Sequence, residues 1–107
     1  MLFKKSIDYS KLTVYDREKT NKKNNFTFLN GKYALEGQTV LLGDSITDFF
    51  TWYELFYDFS KSTGQAVYNR GISGDTTDRL LERLQDNVLN IKPKNIVLLI
   101  GTNDIGR

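Results

Sequence analysis

From residue 38 onward, apolar and polar positions fall into five stretches with two different periods. Gln38-Thr39-Val40-Leu41-Leu42, set between Gly37 and Gly43, turns apolar at its centre and fits a strand buried on both faces for most of its length. Ile46, Phe49, Phe50, Tyr53, Phe56 and Tyr57 then recur at helical spacing and predict one helix from 46 to about 60. Gln65-Ala66-Val67-Tyr68-Asn69, after Gly64, reads as a second short strand. Leu80, Leu81, Leu84, Val88 and Ile91 mark one face of a second helix, which Pro93 stops. Asn95-Ile96-Val97-Leu98-Leu99-Ile100 reads as a third buried strand, ended by Gly101. Strand, helix, strand, helix, strand in that order predicts right-handed crossovers and a parallel sheet with helices on its faces, an α/β fold.

Residues 1–36 differ in kind. They hold eight Lys or Arg against four Asp or Glu, whereas residues 37–107 hold seven against nine. They read as a polar, basic N-terminal extension. Within it Lys19-Thr20-Asn21-Lys22-Lys23-Asn24-Asn25 is expected to be a solvated loop, with Phe26, Phe28 and Tyr33 able to tack the segment onto a neighbouring surface.

Composition narrows the chemistry. At 107 residues, 39% hydrophobic and 26% charged, the chain is the size of one globular unit. A net charge of +2 with no basic stripe and no recognition motif gives no reason to expect a nucleic-acid partner. Zero Cys excludes disulfides and thiolate metal sites. The start Met1-Leu2-Phe3-Lys4-Lys5 lacks the apolar stretch of a secretory signal, and no run approaches the roughly 20 apolar residues of a membrane helix. A cytoplasmic address and no integral membrane segment are the expectations. Zero His matters most, because serine nucleophiles generally take their proton acceptor from an imidazole.

In a doubly wound sheet the chemistry collects in loops at the carboxyl ends of the strands. Three loops qualify. In Gly43-Asp44-Ser45-Ile46-Thr47, Ser45 sits between a strand and a helix, where the helix N-terminus favours developing negative charge. An alternative reading makes Ser45 the N-cap, with Asp48 three residues on as in a capping box. In Asn69-Arg70-Gly71-Ile72-Ser73-Gly74-Asp75-Thr76, Gly74 has no Cβ to keep a substrate from its N–H, and Asp75-Thr76-Thr77 can cap the next helix. In Gly101-Thr102-Asn103-Asp104, Asn103 offers a neutral amide donor just past a strand.

Taken together, these three loops resemble blocks I, II and III of the SGNH hydrolases, also called GDSL esterases and lipases, in order, spacing and context over residues 38–104. The resemblance implies a three-layer, flavodoxin-like fold with a parallel sheet, present here as a truncated N-terminal part, with residues 37–107 as the portion of the hydrolase domain. It implies strand 38–42 between 66–69 and 95–100. It implies Ser45 as nucleophile, and an oxyanion hole made by the N–H groups of Ser45 and Gly74 and the amide of Asn103. Turn-fixing roles are expected for Asp44 and Asp104. No cofactor or metal is implied, and the substrate is a small ester, a lipid-like ester or an O-acetylated sugar. The family's last block, Asp-x-x-His, has no counterpart in a chain without His, so the residues present are expected to be inactive alone.

Two other classes stay open at this stage. One is a non-catalytic doubly wound module that holds phosphate or Mg²⁺ through Asp44, Asp75 and Asp104; the other is a pseudoenzyme fragment. Among the aromatics, Phe49, Tyr53 and Phe56 are expected in the core, and Trp52 is the expected exception. A three-stranded parallel sheet also leaves an unpaired edge, from which self-association is expected.

Overall fold

A computed structural model describes residues 14–105. The expectations that fall on residues 1–13, including the lack of a secretory signal, lie outside the described residues. Three strands form one parallel sheet: β1 (Thr39–Gly43), β2 (Val67–Asn69) and β3 (Asn95–Leu99), in the order β2-β1-β3. β1 is therefore central, as expected. Its Thr39 pairs with Val67 on one side and Asn95 on the other, and Gly43 reaches Leu99.

The helices are α1 (Val14–Lys32), α2 (Ser45–Phe49), α3 (Trp52–Leu55), α4 (Tyr57–Thr63) and α5 (Thr77–Asn87), with short 3₁₀ turns at Leu89–Ile91 and Thr102–Asp104. Successive side chains of a strand point to opposite faces, so Val40 and Leu42 face one way and pack with Leu80, Val88 and Ile91 into the main core. Ala34, Tyr68, Leu84 and Ile100 close round it. Leu80, Val88 and Ile91 thus carry the buried stripe read from the sequence, whereas Leu81 is exposed. Each such side chain removed from water stabilises the fold by about 1.5–3 kcal/mol.

Four expectations need correction. The first is the extension: Lys19 to Asn25 is not a loop but the middle of α1. This helix shows no apolar stripe because it docks on α5 mainly through polar groups. Asn30 Nδ2 donates to the carbonyls of Asp86 (3.0 Å) and Asn87 (2.6 Å), and Asn87 Nδ2 donates to the Lys23 carbonyl (3.1 Å) and Thr27 Oγ1 (3.0 Å). Of the expected anchors only Phe26 serves, with the Arg70 guanidinium 4.9 Å from its ring; Phe28 and Tyr33 are exposed.

The second correction is the single helix over 46–60, which is broken into α2, α3 and α4. The break follows from where the last carbonyls of α2 find donors. Trp52 Nε1 donates to the Thr47 carbonyl at 2.7 Å, and Asn69 Nδ2 donates to the carbonyls of Thr47 (3.0 Å) and Asp48 (3.3 Å). Phe50 then adopts an extended backbone.

The third follows from the second: with the helix broken, its apolar period no longer faces the sheet. Phe49 and Tyr53 are each 72% exposed, while Trp52, the expected exception, is half-buried and hydrogen-bonded. Phe56 is half-buried, packed between Trp52 and Phe59.

The fourth concerns β3, which is exposed along its whole length, with Leu98 at 56%. It pairs with β1 alone, and its apolar side chains from Ile96 to Leu99 keep about half of their surface in the open.

Candidate functional site

The loops that follow the three strands meet at one end of the sheet, and their hydrogen bonds explain how. The loop after β1 turns at Asp44, whose carboxylate accepts from Ile46 N at 3.1 Å and caps α2. Ser45 is therefore the first residue of the helix and not its cap, so its hydroxyl is not consumed in that role. Asp48 does not reach back as a capping box would. Its carboxylate instead accepts from Ser73 N at 2.8 Å in the second loop and pairs with Lys22 of α1.

The second loop lies directly on the first. Arg70 N donates to the Leu41 carbonyl (2.7 Å) and Ile72 N to the Gly43 carbonyl (3.0 Å), so the chain continues along β1 beyond the end of β2. Gly71 permits this approach, since a Cβ there would stand 2.5 Å from Asp48 N and 2.8 Å from Thr47 Cβ. Asn69 Oδ1 accepts from Gly71 N at 2.9 Å, so one amide side chain orders both loops. Gly74 adopts φ +80°, a region that residues with a Cβ rarely occupy.

Under these loops lies a buried ion pair. Arg83 Nε donates to Asp75 Oδ2 at 2.7 Å, with the two side chains 1% and 4% exposed. The same guanidinium donates to the Gly43 carbonyl (3.3 Å) and Asn87 Oδ1 (3.3 Å). Burial holds the Arg83 pKa below its ordinary value, and the adjacent Asp75 carboxylate opposes that shift. Arg70 is lowered to about 10, first by burial, with Tyr68 opposing and Arg83 adding to the fall.

The third loop is tied to the second twice. Asn103 Nδ2 donates to the Asp75 carbonyl at 3.0 Å, one residue beyond Gly74. Asp104 accepts from Thr77 N at 2.9 Å and from the Thr77 hydroxyl, so the cap of α5 comes from the third loop rather than from Asp75 or Thr76. Thr76 donates instead to Asp78 Oδ1 at 2.6 Å, and that bond leads the causes holding the Asp78 pKa below the usual carboxylate value.

Gly74 and Asn103 are thus neighbours through Asp75, and Ser45 is joined to them indirectly, through Gly43 and Asp48. Asp44 fixes its own turn, as expected, whereas the Asp104 carboxylate ties the third loop to the start of α5. The three carboxylates of the Mg²⁺ alternative serve separate partners: Asp44 accepts from Ile46 N, Asp75 from Arg83 and Asp104 from Thr77. Among the described residues no group of three or more His, Cys, Asp or Glu could hold a metal ion. No helix among them is long and apolar enough to cross a membrane.

Sequence reasoning missed Asn69 as a tie and Arg83 altogether. A visible signal existed for the latter: a charged residue standing among Leu80, Leu84 and Val88, on the apolar face of its helix.

Comparison with known proteins agrees with this architecture. The GDSL-like Lipase/Acylhydrolase family matches residues 41–107. The alpha2 subunit of platelet-activating factor acetylhydrolase IB from Homo sapiens and from Rattus norvegicus is 39% identical over 70 residues, which cover 64% of this chain and 30% of the relative. The chain thus spans under a third of the length of these curated relatives. A solved structure described as a candidate platelet activating factor from Streptococcus pneumonia superposes with a TM-score of 0.70 at 34% identity, over 86% of this chain and 41% of that one. A GDSL-like lipase from Bacteroides thetaiotaomicron gives 0.59 at 32% identity, over 77% and 40%. With the family match, the parallel β2-β1-β3 sheet and the GDSL-like neighbours in agreement, the chain belongs to the GDSL-like lipase/acylhydrolase family.

Proposed function

We propose that these residues supply the nucleophile and the oxyanion hole of a serine ester hydrolase. Ser45 Oγ attacks the acyl carbon, and the carbonyl oxygen, as it takes on charge, accepts hydrogen bonds from the N–H groups of Ser45 and Gly74 and from the Asn103 amide. An acyl-enzyme forms as the alcohol leaves, and water releases the acid. The observation that carries this reading is the bond from Asn103 Nδ2 to the Asp75 carbonyl. The amide has two hydrogens, so one can fix the side chain beside Gly74 while the second is offered to an oxyanion.

The proton acceptor for Ser45 is an imidazole outside these 107 residues, which contain no His. An unperturbed carboxylate with a pKa of about 4 does not serve, so the chain alone hydrolyses esters far more slowly than the intact protein. The substrate is an ester with a short acyl group, in keeping with the acetylhydrolase relatives, on a lipid-like, sugar or other small alcohol. A cytoplasmic setting is part of the proposal, and cell fractionation tests it.

The test is hydrolysis of p-nitrophenyl acetate by the intact protein. Ser45→Ala abolishes turnover while the fold is kept; retained turnover overturns the reading. An intact protein without turnover would overturn the reading as well.

A further inference from the structure

α1 belongs to none of the three family motifs, yet it reaches the loop that carries Gly74. Asp48 is where it arrives. One carboxylate oxygen, Oδ1, pairs with Lys22 of α1, and the other, Oδ2, accepts from Ser73 N at 2.8 Å. The backbone of Asp48 is held as firmly: its N–H donates to the Asp44 carbonyl (2.8 Å), its carbonyl accepts from Asn69 Nδ2, and Gly71 lies against its nitrogen. A cavity of about 100 Å³, lined by Lys22, Asp48, Phe49, Ile72 and Ser73 among others, marks the same junction.

Gly74 is consequently tethered on both sides. Ser73, before it, is fixed by Asp48; Asp75, after it, is fixed through its carbonyl by Asn103. We infer that Asp48 is a positioning residue for the Gly74 oxyanion donor, and that Lys22 balances its charge, so that the docking of α1 sets the rate of acyl transfer. This rests on the reading of Gly74 as an oxyanion donor given above.

The charge argument has a definite sign. A carboxylate that orders the loop also repels a developing oxyanion in the same site, and a neighbouring ammonium offsets that repulsion. Removing Lys22 therefore harms the transition state more than the bound ester, which carries no such charge. Replacing Asp48 by Asn keeps an acceptor for Ser73 N but no longer needs Lys22.

The experiment measures kcat and KM for p-nitrophenyl acetate in the intact protein, with folding followed by circular dichroism and Ser45→Ala run alongside. Lys22→Met is expected to lower kcat roughly three- to tenfold with KM unchanged. Asp48→Asn in the Lys22→Met background restores kcat to within about twofold, whereas Asp48→Ala, which leaves Ser73 N without its acceptor, loses about tenfold or more. If Ser45→Ala is inactive but Lys22→Met matches the wild type, or the added Asp48→Asn gives no recovery, the inference falls while the hydrolase reading stands. If Ser45→Ala stays active, the hydrolase reading itself fails. Lys22 is partly exposed, so its replacement tests the idea even if Asp48→Ala does not fold.

Discussion

Replacing Arg83 by Met tests what joins the loops to the core. Methionine has a similar length and no charge, so the packing that Arg83 makes from α5 beneath the loops is largely kept while the ion pair with Asp75 is removed. The Asp75 carboxylate, 4% exposed, is then left in the interior without its partner, and the Gly43 carbonyl loses its guanidinium donor as well. Breaking one side of a buried pair costs about 3–5 kcal/mol, mostly because the remaining charge is neither solvated nor compensated. Small domains are stable by about 5–15 kcal/mol in total, so the loss takes a large share of what holds this chain together. The assay is guanidinium unfolding followed by far-UV circular dichroism. A second variant, with Asp75→Leu added to Arg83→Met, removes both charges and is expected to regain most of the stability, since apolar replacements of a buried pair are often neutral or better. A loss below about 1 kcal/mol for Arg83→Met, the range of an exposed pair, would refute the reasoning. So would a double variant no more stable than the single one.

Two further outcomes follow from the same geometry. Asp44→Ala removes the cap from Ile46 N and should cost about 0.5–2 kcal/mol, whereas Ser45→Ala should leave unfolding nearly unchanged because Ser45 is not the cap; equal losses in denaturant titrations would return Ser45 to the capping role. The open edge and exposed faces of β3 should make the 107-residue chain self-associate, and Leu98→Lys should reduce this by placing a charge on the edge strand; a stable monomer at high concentration in sedimentation would show that β3 needs no cover.

Periodicity made most of the sheet and α5 legible because both bury apolar surface at a fixed repeat. Val40, Leu42, Leu80, Val88 and Ile91 announce themselves in sequence and meet in one core. The three loops were legible for a different reason: glycine, aspartate, serine and asparagine beside strand ends are short-range signals, and three of them in order mark a family. α1 was not legible, since its attachment is made by the side-chain amides of Asn30 and Asn87, backbone carbonyls and the Thr27 hydroxyl, whose partners lie more than fifty residues away in sequence.

The segment 45–63 shows the opposite failure. Its helical period is real, but Trp52 and Asn69 take the carbonyls on which a continuous helix would have relied, and Phe49 and Tyr53 turn outward as a result. β3 reads as buried because its composition is apolar on both faces; it is exposed because its side chains stand outside the core that Val40 and Leu42 of β1 make with Leu80, Val88 and Ile91. Local pattern was enough for the three strands and α5, for the central core stripe and for Ser45, Gly74 and Asn103 as candidates, but not for α1 or for the division of 45–63 into three helices. Tertiary structure alone decided that Asp44 rather than Ser45 caps α2, that Asp48 holds Ser73, and that Arg83 joins Asp75 to Gly43. Those are choices among competing hydrogen-bond partners, and a partner is chosen by distance in space, which the spacing along a chain does not contain.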